Sequence, residues 1–151
     1  MFNHEFILTP SSWIGEGKIK LNMVDEELGF FTRWTVAKID GTGKIECLQE
    51  IQIKGLTEVM HNQFIISEIS SGNFLIELEN DALGRVEGKG IINEKLIAWE
   101  FRIPDIGFEG FEFYEKQKDQ YLMRAEYSTT PGEFRTAIQG RVWQPQEIEK
   151  K

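Results

Sequence analysis

The chain is poor in the residues that most often hold metals or act as nucleophiles. Its 151 residues include one cysteine, Cys47, and two histidines, His4 and His61. A lone cysteine excludes an internal disulfide framework and any zinc cluster built on cysteines. Two histidines 57 positions apart in sequence give no recognised zinc-ligand spacing. The nucleophile elbow G-x-S-x-G is absent, so a hydrolase triad has no anchor. No catalytic residue, metal ligand or cofactor is assigned on these grounds. Positive charge is also scarce, with 17 basic against 25 acidic residues and a formal charge of -8. Nucleic-acid binding rests on clustered Lys and Arg, so nucleic acid is excluded as the expected partner. Long apolar runs are missing as well: nothing approaches the roughly 18 residues a membrane helix needs. The opening MFNHEFILTPSSW has no basic n-region and only a short apolar run. The sequence therefore predicts a cytoplasmic protein with no membrane span.

Helical periodicity is the remaining absence. In its place the two-residue alternation of half-buried strands recurs along the chain. It predicts strands over about 13–23, 27–39, 44–54, 58–69, 73–79, 83–92, 95–103, 108–116, 119–128 and 134–143. Turn chemistry separates them: DGTG at 40–43, SSG at 70–72, NDALG at 80–84, PDIG at 104–107 and TTPGE at 129–133. These gaps are too short for the crossover that parallel strands require, so neighbours are antiparallel. About ten such strands curl, and closure removes both exposed edges. The expected fold class is all-β, an antiparallel up-and-down β-barrel; a two-sheet sandwich shares the strand count and spacing. One domain covers 1–151, with an N-terminal arm, 1–10, whose Phe2, Phe6, Ile7 and Leu8 would plug one end, and a polar tail, 144–151.

Within SSWIGEGKIKL (11–21), the glycines and lysine lack the phosphate-loop spacing and precede no helix. In a strand, Trp13, Gly15, Gly17, Ile19 and Leu21 share one face, and the glycines permit the close backbone approach of a closing barrel. This stretch and IQGRVW (138–143) together resemble the calycin superfamily, the lipocalins, fatty-acid-binding proteins and their relatives. The resemblance implies a barrel that binds a small molecule, with Trp13 near the start and Arg141 on the last strand packed across one end as a structural pair. It also implies what is missing. The fatty-acid-binding Arg-x-Tyr is replaced by RAEY (124–127), one residue too long to place both on one face. The late-strand histidine of haem-binding relatives has no counterpart after His61.

If Arg141 points inward, its face carries Arg135 and Gln139 into the lumen, where Glu112, Tyr114, Arg124 and Glu126 of neighbouring strands would join them, with His61 as a further polar handle. Those seven residues are the candidate ligand-binding set, suited to an apolar, amphipathic or anionic small molecule. The alternative is that the charges form the solvated outer face and the aromatics fill the interior. Gly15, Gly17, Gly88, Gly90 and Gly110 are expected to leave room inside. Two other functions stay open. One is an enzyme with Glu112 or Glu126 as acid or base beside Arg124. The other is a packed barrel that acts as an interaction or dimerising module through Ile14, Phe30 and Phe31.

Overall fold

The computed structural model describes residues 4–22, 25–129 and 135–145. Ten strands account for most of them: β1 (Ser11–Leu21), β2 (Glu27–Val36), β3 (Ile45–Ile53), β4 (Val59–Ser67), β5 (Asn73–Asn80), β6 (Gly84–Ile92), β7 (Leu96–Ile103), β8 (Phe108–Lys116), β9 (Tyr121–Thr129) and β10 (Arg135–Trp143). Each pairs antiparallel with its neighbours in sequence, and β1 pairs with β10, from Ile14 opposite Trp143 to Leu21 opposite Thr136. The sheet is thus a closed barrel. The TTPGE turn lies largely outside the described residues, as does the polar tail from residue 146 on.

Alternation sets the inside. On β2, Phe30, Thr32, Trp34 and Val36 are buried while Phe31, Arg33 and Thr35 are exposed. The turns are made by the residues that punctuate the sequence. Asp40 Oδ1 accepts from the backbone of Thr42 and Lys44 and from the Thr42 hydroxyl. The PDIG stretch forms one 3-10 turn, Pro104–Ile106, stopped by Gly107 at φ 64°.

The glycines do not leave room as expected. A Cβ on Gly90 would sit 2.0 Å from the Phe74 ring, and one on Gly110 would sit 2.2 Å from the Tyr127 ring. Rings from the next strand occupy the space beside these bare backbone patches, so the missing side chains are replaced by neighbouring aromatics.

One end of the barrel is stoppered by residues 4–10. Phe6, fully buried, places its ring 4.6–5.5 Å from those of Trp13, Trp34, Tyr114 and Tyr121. Ile7 is buried beside it with φ at 57°, a backbone state unfavourable for a β-branched residue and held there by the packing. His4 fastens the arm. Its Nε2 donates to the Asn93 carbonyl at 2.5 Å, which leaves Nδ1 to accept the Tyr121 hydroxyl at 2.9 Å. Phe2 lies outside the described residues.

Candidate functional site

The two halves of the interior differ in cover. Toward the stoppered end the inward side chains Trp34, Phe64, Ile66, Phe74, Ile97 and Tyr114 are almost wholly buried. Toward the other end Leu21, Leu28, Ile51, Ile53, Ile103, Tyr127 and Ile138 are only partly buried against the same core. A pocket lies at the stoppered end, lined by His4, Leu8, Trp13, Ile45, Tyr121 and Trp143. In the other half Ile19, Leu78, Val86 and Phe108 are buried, so the accessible groups form an apolar rim at the open end of the barrel.

Two polar groupings sit in its walls. On β7, β8 and β9, the Glu112 carboxyl is 4% exposed and accepts three donors: the Tyr114 hydroxyl at 2.6 Å, Trp99 Nε1 at 3.3 Å and the Tyr127 hydroxyl. Strand parity brings Glu112 and Tyr114 to one face, and the Gly110–Tyr127 packing swings the third donor over them. Burial pushes the Glu112 carboxyl above its ordinary pKa, although the three hydrogen bonds pull it down. Burial also raises Tyr114 and Tyr127 well above ordinary tyrosines, so both remain donors.

The second grouping crosses β2, β3, β4 and β5. The Leu83 backbone N–H donates to Asn80 Oδ1 (2.7 Å), Asn80 Nδ2 to Asn62 Oδ1 (3.0 Å), Asn62 Nδ2 to Gln49 Oε1 (3.1 Å) and Gln49 Nε2 to Thr32 Oγ1 (3.2 Å). The Thr32 hydroxyl then donates to the Glu50 carbonyl (2.9 Å). A backbone donor at one end and a backbone carbonyl at the other fix the direction of every link, since neither can reverse. The strand β3, which carries Gln49, lies five places around the ring from β8, which carries Glu112, so the two groupings face each other across the barrel. Nearer the floor, Trp34 Nε1 is a buried donor without a partner among the described residues.

The structure brings together two of the seven candidate residues, Glu112 and Tyr114, and distributes the rest over the outer surface. On β10 the inward residues are Thr136, Ile138, Gly140 and Val142, so Arg135 and Gln139 face solvent. Arg135 pairs outside with Glu126 at 2.9 Å, and Arg124 lies over the outer Phe113 ring at 5.4 Å. His61 is exposed, 4.0 Å from Glu50. The pairing of Trp13 with Arg141 is corrected in the same way. Trp13 is buried, its Nε1 donating to Ser11 Oγ, but the Arg141 guanidinium lies outside, 4.5 Å over Trp143 and 3.0 Å from Glu16. Burying a guanidinium costs more than any indole contact returns, so the strand turns its charged face to water.

The sheet itself separates Glu112 from Arg124, whereas Glu126, the other acid of the enzyme reading, shares the outer face of β9 with Arg124 and pairs with Arg135. It also divides the proposed contact patch, because Phe30 points inward while Phe31 is exposed. Tyr127, Trp99, Thr32, Gln49, Asn62 and Asn80 are absent from the sequence-based set. For Tyr127 a signal existed, its parity with the inward residues Tyr121, Met123 and Ala125; the ladder residues are single positions on four strands, joined only by register. Burial pushes the Cys47 thiol up to about 12, leaving it inert. Among the described residues no group of three His, Cys, Asp or Glu side chains could hold a metal, and no helix is long and apolar enough to cross a membrane.

No protein-family profile matches the chain, and no curated protein does. Solved structures do. An S-type phycobiliprotein lyase from Guillardia theta superposes with a TM-score of 0.67 at 9% identity, over 93% of this chain and 90% of its own. A Nitrosomonas europaea protein with a provisional AttH assignment matches at a TM-score of 0.35 and 11% identity, over 91% of this chain and 52% of its own. The first match, at that identity, is one of fold: the chain has a calycin-like, ten-stranded barrel.

Proposed function

We propose that the protein binds a small apolar or amphipathic molecule in the mouth half of the barrel. The observation that carries this reading is the unequal cover of the interior. At the open end Leu28, Ile51, Ile53, Ile103 and Ile138 remain partly accessible beside buried Ile19, Leu78 and Val86, an apolar rim that a guest could cover. The walls add polar groups that would orient a ligand, the Glu112 cluster on one side and the amide ladder on the other. The Guillardia theta barrel of the same fold is described as a phycobiliprotein lyase, which makes a bilin one of the probes worth titrating.

Titration of the purified protein with an apolar fluorescent dye tests the reading. Saturable binding of one dye per chain is expected, weakened by Ile138→Trp, which fills the mouth. Absence of saturable binding, or binding indifferent to that substitution, sinks it in favour of a packed barrel acting through its surface.

A further inference from the structure

The amide ladder has a property that its hydrogen-bond count conceals. Because the Leu83 N–H and the Glu50 carbonyl fix its direction, Asn80, Asn62 and Gln49 each spend their oxygen on the preceding donor and one amide hydrogen on the following acceptor. A primary amide carries two such hydrogens. The wall is therefore left with a surplus of N–H donors, one per amide, graded from half-buried Asn80 and Asn62 at the mouth to Gln49 in the interior, 5% exposed. Trp34 Nε1 adds a buried donor of the same kind toward the floor. Trp34 Nε1 is the buried donor left unmet among the described residues, and the spare amide hydrogens of Asn62 and Asn80 are open to water at the rim, where a guest that brings acceptors can take them.

The charge of that guest follows from what else is inside. The buried polar and charged side chains among the described residues are His4, Thr32, Gln49 and Glu112, with no lysine or arginine among them. His4 serves the stopper, beyond the aromatic floor. A carboxylate or phosphate placed in the mouth would lose its hydration without gaining a counter-ion. A carbonyl or ester oxygen asks only for N–H donors.

We infer that the ligand is a neutral, acceptor-bearing apolar molecule, such as an ester, amide or ketone with a hydrocarbon body, its oxygen taken by the spare amide hydrogens of Asn62 and Asn80, and that the barrel discriminates against the corresponding carboxylate. The inference rests on the cavity reading proposed above and narrows it.

Displacement of the bound dye by a medium-chain fatty acid and by its methyl ester, at about pH 8 where the acid is ionised, separates the two levels. The ester should bind at least about tenfold more tightly, as expected when the loser buries a charge without a partner. Asn62→Lys and Asn80→Lys supply the counter-ion that the wall lacks and should erase most of the preference for the ester while dye binding persists. Asn80, half-exposed at the mouth, is the second variant should Asn62→Lys fail to fold. Equal affinities, tighter binding of the acid, or an ester preference untouched by either substitution would overturn the inference and leave the cavity reading intact. Failure of the dye itself to bind the unmodified protein would overturn both.

Discussion

At the scale of single residues, Glu112 is the most consequential group in the molecule. Two phenols and an indole donate to it, yet burial dominates and raises its pKa in the folded state. A raised carboxyl pKa means that the folded chain holds the proton more tightly than the unfolded chain. The associated stability is therefore fully present below the unfolded value of about 4.3 and is lost as pH rises through the folded one. Glu112→Gln removes that titration. Thermal unfolding of both proteins across pH should show the unmodified chain at its best relative to the variant in acid and losing ground steadily toward neutrality; parallel curves would contradict the assignment. The residue scale is also where sequence reading was weakest. Placing Arg141 inward for the sake of Trp13 carried Arg135 and Gln139 with it, because a strand has only two faces and one wrong assignment moves every side chain. The corrective signal was in the strand itself: Thr136, Ile138, Gly140 and Val142 are the apolar or small set, and three of the four opposing positions between 135 and 141 are Arg or Gln.

Among the elements, the N-terminal arm carries the sharpest expectation. Phe6 touches four aromatic rings, so Phe6→Ala should cost about 3–5 kcal/mol, the range for truncating a core aromatic. Tryptophan emission should shift to the red as Trp13 and Trp34 become wet. A loss under about 1 kcal/mol with unchanged emission would show that the arm is dispensable to the floor. The His4 clasp adds a pH term of opposite sign to that of Glu112. Desolvation lowers the His4 pKa, with the Asn93 carbonyl opposing and Lys116 assisting, so the neutral ring is the folded form. Its contribution is present above about 6.5 and lost as pH falls through the lower folded value. The strands were legible in the sequence to within two or three residues at most ends, because alternation and turn chemistry are local. The ladder was not, since Thr32, Gln49, Asn62 and Asn80 meet only when four strands take up register.

The whole molecule depends on the seam between its first and last strands. A Cβ on Gly17 would fall 2.2 Å from the Gln139 carbonyl oxygen and 2.8 Å from Gly140 Cα, backbone that has no rotamer with which to yield. Gly17→Val should therefore part β1 from β10 and expose two unpaired edges. Sedimentation and light scattering should detect association of the variant, and a monomer of unaltered stability would show that the seam can widen. The same pairing of Ile14 with Trp143 imposes an order on biosynthesis. A ribosome releases β1 first and its second partner last. The hairpins from β2 to β9 can zip as they emerge, whereas β1 waits with one side unsatisfied and the arm carrying Phe6 has no finished floor to enter. The first strand of the barrel to leave the tunnel is among the last to be completed, and the nascent barrel spends the interval with its floor aromatics uncovered.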